Sequence, residues 1–109
     1  MAQASRGEVW LVDLGYVAKV RPALVISVPA ADSDRSLVTL VPHTTSVRGS
    51  QFEVPVPVPF LKAGAFDAQA LVTIPHAKLI RRLGVLQAAQ LAPVELALIR
   101  WLGLGPRAS

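Results

Sequence analysis

The sequence predicts a mainly β protein that ends in one helix, folded as a small, strongly curved antiparallel sheet or barrel. Three observations predict it. Between Glu8 and Leu83, short runs rich in Val, Ile, Leu and Thr alternate with turns containing Gly, Pro and Asp. From Ala88 to Leu102 the chain switches to Ala and Leu at helical spacing. At 109 residues it has room for one core and hence for one domain, residues 1–109.

Glu8–Leu14 (EVWLVDL) alternates polar and apolar residues as a half-buried strand does, and Gly15 stops it. After a turn through Tyr16 to Val20, Arg21–Val28 (RPALVISV) reads as a second strand packed antiparallel on the first. Its proline stands near the start, where a missing N–H is tolerated. Pro29–Arg35 has loop composition, and Ser36–Pro42 (SLVTLVP) reads as a buried strand that delivers His43-Thr44-Thr45-Ser46 at its exit. In Gln51–Val58 (QFEVPVPV) the alternate prolines remove every second N–H, which suits an edge strand. Ala63–Phe66 reads as a loop, Ala70–Ile74 as a strand stopped by Pro75, and Lys78–Leu83 as a strand ended by Gly84.

In the helix, Pro93 fits a first helical turn. Val94, Leu98, Trp101 and Leu102 share one face while Leu96 and Ile99 lie on the other, so the helix is apolar almost all round and calls for cover on two sides. That surplus apolar surface predicts a homodimer or another protein partner.

Hydrophobic residues make up 52% of the chain and charged residues 17%, so a folded core is affordable and disorder is excluded. The net charge of +4 favours an anionic partner such as nucleic acid. With no cysteine there is no disulfide, thiolate nucleophile or Cys-based zinc site, and His43 and His76 stand far apart, so neither a metal nor another cofactor is expected. The start lacks the pattern of a signal peptide and every apolar run is broken early; a soluble, cytoplasmic chain with no membrane span is the expectation.

Three ordered stretches resemble the MazF/PemK family of toxin–antitoxin ribonucleases: Arg6–Leu14 (RGEVWLVDL), Arg21–Ser27 (RPALVIS) and Val41–Ser46 (VPHTTS). Gln69–Leu83 resembles the family's fourth block, and the last helix its C-terminal helix, so the resemblance runs from about Arg6 to Leu104. It implies an SH3-like barrel of the CcdB/PemK kind that dimerises, cuts single-stranded RNA at short sequence motifs and is held inactive by a cognate antitoxin. The family's catalytic Arg and Thr fall on Arg21 and Thr44. Two departures stand out: the Gly15–Val20 loop is short, with Lys19 its lone charge, and the fourth block has Gln69 and Val72 where some members carry an acidic residue and an Arg.

RNA can be cut without metal when its own 2′-OH attacks the adjacent phosphorus, leaving a 2′,3′-cyclic phosphate and a 5′-OH. The protein must supply a base, an acid and positive charge for the phosphorane. Arg21 suits the last task, since its planar fork donates two hydrogen bonds to phosphate and stays protonated. Thr44 would hold the scissile phosphate, with Thr45 as its understudy, and Lys19 and Arg48 would pair with other RNA phosphates.

His43 titrates near neutrality, but strand alternation points it opposite to Thr44; Asp67 is the other candidate base. His76, after Pro75, reads as a surface histidine. Trp10 and Trp101 read as packing residues, Tyr16 and Phe52 as better placed to stack a base. Arg81 and Arg82, adjacent on a strand, face opposite sides. Two other readings keep the barrel: a toxin that binds DNA gyrase through Leu98, Ile99 and Trp101, as CcdB does, or an idle RNA-binding module.

Overall fold

A computed structural model describes residues 4–15 and 19–105. Seven strands and one helix follow in the order β1 (Glu8–Asp13), β2 (Val20–Val25), β3 (Leu37–Thr44), β4 (Glu53–Val54), β5 (Ala65–Asp67), β6 (Val72–Pro75), β7 (Leu79–Val85) and α1 (Ala88–Leu102). Single 3₁₀ turns at Ala68–Ala70 and His76–Lys78 lead into and out of β6.

All pairings are antiparallel, in the order β4-β5-β3-β2-β1-β7, with β6 also bonded to β3. The ladder does not close on itself, so the architecture is a strongly curved open sheet of barrel-like form. β3 is its axis: Leu37–Leu40 pair with β6, Leu40–Pro42 with β2, and His43 and Thr44 with β5.

Alternation along the strands feeds two cores. Val9, Leu24 and Val41 point to one side, where Val56, Phe66, Leu86 and the helix residues Val94, Ala97 and Leu98 close over them. Val12, Ala23, Val25, Val38 and Leu40 point to the other, where Ile74, Trp10 and Leu79 join them as the sheet curls. Pro22 pairs with Leu11 but lies outside the β2–β3 ladder, so it removes no bond from that ladder.

The edge strand expected over Gln51–Val58 is an edge, but only Glu53 and Val54 pair; Pro55 and Pro57 end the ladder while Val56 still packs inward. The loop expected at Ala63–Phe66 is not one. Ala65–Asp67 form β5, whose short Ala-Phe-Asp run gives little β signal and gains its shape from β3 and β4 on its two sides. Phe66 is fully buried there. Pro93 stands inside the helix rather than in its first turn, and the carbonyl of Ala89 that it leaves unbonded belongs to an exposed residue.

A capping box between Gln87 and Gln90 starts α1, and Gly103, with φ of 68°, ends it in the left-handed conformation that glycine adopts without strain. The helix is apolar beyond its buried face, as expected: Leu96, Ile99, Trp101 and Leu102 are exposed. No helix among the described residues is long and apolar enough to cross a membrane.

Candidate RNA-cleaving site

The β2–β3 register builds the site. The β2–β3 ladder ends at Ala23 and Pro42; just beyond it, Arg21 near the start of β2 and Thr44 at the end of β3 line the same two clefts. Their side chains stand at the open end of the strand pair, remote from the loop that joins it.

Two clefts meet at this point. The first, about 410 Å³, is bounded by Val20, Arg21, His43, Thr44, Thr45, Ser46 and the Phe60–Lys62 turn. The second, about 400 Å³, lies between Arg21, Thr44 and Ser46 on one side and Arg48, Glu53, Asp67 and Gln69 on the other. Arg21, Thr44 and Ser46 are common to both. The first cleft carries only cations, Arg21 and Lys62; the second sets Arg21 and Arg48 against Glu53 and Asp67.

Arg21 is half-buried and makes no side-chain hydrogen bond or ion pair with any described residue. Its Nε is sealed from solvent without a partner, the one such side-chain atom among the described residues. An orphaned donor on a charged group costs on the order of 1–3 kcal/mol or more, so Arg21 has a buried donor that suits an anionic acceptor. Thr44 Oγ1 accepts the Ser46 N–H at 3.0 Å, which fixes the hydroxyl at the strand exit and leaves its proton free to donate.

Glu53 organises the turn beside Arg48. Its carboxylate accepts the Arg48 N–H through both oxygens, at 3.0 and 3.1 Å, and the Ser50 N–H at 2.8 Å. These backbone donors hold its pKa below the usual carboxylate value. Asp67 caps the 3₁₀ turn by accepting the Gln69 N–H at 3.0 Å.

His43 is turned inward, 4% exposed, with its ring edge-on to Phe66 at 5.1 Å. Burial lowers its pKa. Its alternation against half-buried Thr44 is as expected, yet both residues line the first cleft. Gly64 is required beside it: a Cβ there would collide with the Thr44 carbonyl and stand 2.8 Å from His43 Cε1.

Of the residues singled out from sequence, Arg21, Thr44, Thr45 and Arg48 are therefore gathered around two joined clefts, with His43 and Asp67 at their walls. Lys19 is not among the lining residues. It closes the β1–β2 turn with φ of 54°, a left-handed conformation uncommon for a residue with a Cβ, and its carbonyl accepts the Leu14 N–H. Tyr16 lies outside the described residues.

Phe52 does not stand free to stack a base; it packs on the first core and against Trp101, with ring centroids 5.3 Å apart. Trp10 joins the second core and donates its indole N–H to Glu8. His76 is half-buried, its Nε2 accepting the Ala4 N–H. Arg82 pairs with Glu8 on β1. Sequence reasoning passed over Ser46, Glu53 and Lys62. Ser46 and Glu53 flank Arg48, so the charge pattern around Arg48 was a usable signal, whereas Lys62 reaches the cleft only through the fold of the Phe60–Gly64 turn.

The chain matches, over residues 5–102, the model of a family described as PemK-like, MazF-like toxins of type II toxin–antitoxin systems. Solved structures agree. An endoribonuclease from a mycobacterial species, in complex with its cognate antitoxin, is 28% identical with a TM-score of 0.81, covering 95% of this chain and 99% of that one. The Mycobacterium tuberculosis toxin MazF-mt6 is 30% identical with a TM-score of 0.77, covering 91% and 99%. MazF of Deinococcus radiodurans is 26% identical with a TM-score of 0.79, covering 95% and 100%. With the ordered Arg21 and Thr44 blocks, the curved sheet and the terminal helix all in place, this chain belongs to the PemK-like, MazF-like family of type II toxins.

Proposed function

We propose that the protein is an endoribonuclease toxin that cuts single-stranded RNA at a short sequence motif, in the cytoplasm where its transcripts lie, and that a cognate antitoxin neutralises it. The observation that carries this reading is the buried, unpartnered Nε of Arg21 at the junction of the two clefts. A phosphate seated there satisfies that donor, and the guanidinium fork stabilises the charge that builds on the non-bridging oxygens. Thr44, lining the same clefts, donates its hydroxyl to the same phosphate, and Thr45 lies beside it. Arg48 and Lys62 hold the flanking backbone. Because the nucleophile is the RNA's own 2′-OH, the reaction calls for no metal and no cofactor.

The antitoxin is a chain whose acidic and apolar segment covers Arg21. The exposed apolar residues of α1 support a homodimer. The family membership favours the ribonuclease over the gyrase-binding and idle-barrel readings. Incubating a long synthetic RNA with the protein in EDTA and mapping the fragment ends tests the reading. Discrete cuts bearing 2′,3′-cyclic phosphate are expected; RNA left intact at low salt by folded protein overturns it.

A further inference from the structure

Three titratable acceptors line the two clefts: Glu53, Asp67 and His43. The carboxylates are engaged. Glu53 is wrapped by the N–H groups of Arg48 and Ser50, and Asp67 caps the turn at Gln69. Both stand on the second cleft and not on the first. His43 differs on each count: it lines the first cleft with Arg21 and Thr44, and neither ring nitrogen makes a hydrogen bond to a described residue. Those nitrogens also reach solvent, since Arg21 Nε is the only unpaired side-chain nitrogen among the described residues that is sealed from it.

We infer that His43 is the general base of this toxin, taking the proton of the attacking 2′-OH in the first cleft. The inference rests on the ribonuclease reading and adds to it the group that sequence alone left open. The ring is 4% exposed and held edge-on to Phe66, with the Gly64 backbone against its Cε1, so its direction is fixed before RNA arrives. His43 directly precedes Thr44 on β3 and lines the first cleft together with Thr44 and Arg21.

The charged groups facing it are Arg21 from β2 and Lys62 from the Phe60–Gly64 turn, while β5 presents the apolar Ala65 and Phe66. Burial disfavours the imidazolium and lowers the ring's pKa, which favours a neutral ring with a lone pair to offer at physiological pH. The step then balances. The O2′–H proton passes to an imidazole nitrogen, the O2′–P bond forms and the P–O5′ bond breaks. The leaving O5′ takes a proton from water, and His43 returns its proton to solvent.

The test is the pH–rate profile of single-turnover cleavage by wild type and by His43→Gln, with the affinity of both for the same RNA blocked by 2′-O-methyl at the mapped cut. Expected are a wild-type rate that rises with pH and levels off, an inflection equal to the His43 pKa read by ¹⁵N NMR, and a loss of about 100-fold or more in His43→Gln. Affinity should change less than about threefold, and the inflection should vanish in the variant. Exogenous imidazole should restore part of the rate of His43→Gly.

Wild type that cleaves with no inflection matching the NMR titration overturns the inference and leaves the ribonuclease standing, even if His43→Gln fails to fold. A folded His43→Gln that keeps the wild-type rate and profile does the same. Wild type that does not cleave overturns both.

Discussion

Two arginines away from the clefts, Arg6 and Arg82, and one within them, Arg21, are treated in opposite ways. Arg6 is tied to Glu95 of α1 and Arg82 to Glu8 of β1, so each cation meets a carboxylate across elements far apart in sequence. Arg21 meets none, although its Nε is buried. Pairing an exposed arginine stabilises a fold by less than about 1 kcal/mol, whereas leaving a buried one unpaired costs more than that. The difference separates cations tied into the fold by carboxylates from one whose buried donor the fold leaves available, as the proposed role of Arg21 requires.

The sharpest way to break this comparison is to delete Arg21. Arg21→Ala should lower the cleavage rate by about 10²–10³-fold with no fall in Tm, because it removes an orphaned donor rather than a bond. Arg21→Lys, which keeps the charge but not the fork, should recover only a small part. A drop in Tm of the size seen for core variants would mean that Arg21 is structural after all. Thr44→Val, removing one hydroxyl donor to a charged phosphate, should cost about 10–100-fold in rate, measured with the same RNA.

Smaller effects follow for Arg48. Arg48→Ala should weaken RNA binding about evenly across sequences and reduce the slope of log affinity against log salt by about 1. An unchanged slope would remove it from the RNA path.

The paired side predicts stability and not activity. Burial alone would raise the Glu8 carboxyl, but the Ser5 N–H, the Trp10 indole and Arg82 outweigh it and hold its pKa below the usual carboxylate value. A carboxyl whose folded pKa is depressed stabilises above the unfolded value, and that stability is lost as pH falls through the folded one. His43, buried neutral with its pKa below 6.5, also favours the fold at higher pH and loses this as the unfolded chain takes up a proton below about that value. Tm should therefore fall in two stages on acidification, below about pH 6.5 and again below pH 4.5. Glu8→Gln should shrink the lower stage, to which Glu53 also contributes, and His43→Gln should remove the upper. Arg6→Ala should be the mildest change, under about 1 kcal/mol in stability with full cleavage.

Much of this was legible in the sequence. β-branched runs and turn residues gave β1, β2, β3, β6 and β7 to within a few residues, and Ala and Leu periodicity gave α1 with its bounds. β5 was not legible because Ala-Phe-Asp has no strand signature of its own; its shape comes from neighbours on both sides. Arg21 and Thr44 were singled out through their blocks, but the clefts that bring them together are a tertiary fact. Phe52 misled because an aromatic beside a turn has the same local sequence whether it faces solvent or, as here, Trp101. His43 illustrates the limit of alternation: the rule set it opposite to Thr44, but gave neither its burial nor the cleft that the Phe60–Gly64 turn opens beside it.

The central claim, that Arg21 is left unpaired for the scissile phosphate, is tested most directly by the ¹⁵N–¹H signal of its Nε–H. The titrant should be an RNA that spans a mapped cut and carries 2′-O-methyl at the attacking position. The account predicts a large downfield shift and slowed solvent exchange of that one signal at saturation, absent with an RNA lacking the motif. RNA that binds tightly while the Arg21 signal stays where it was would contradict it.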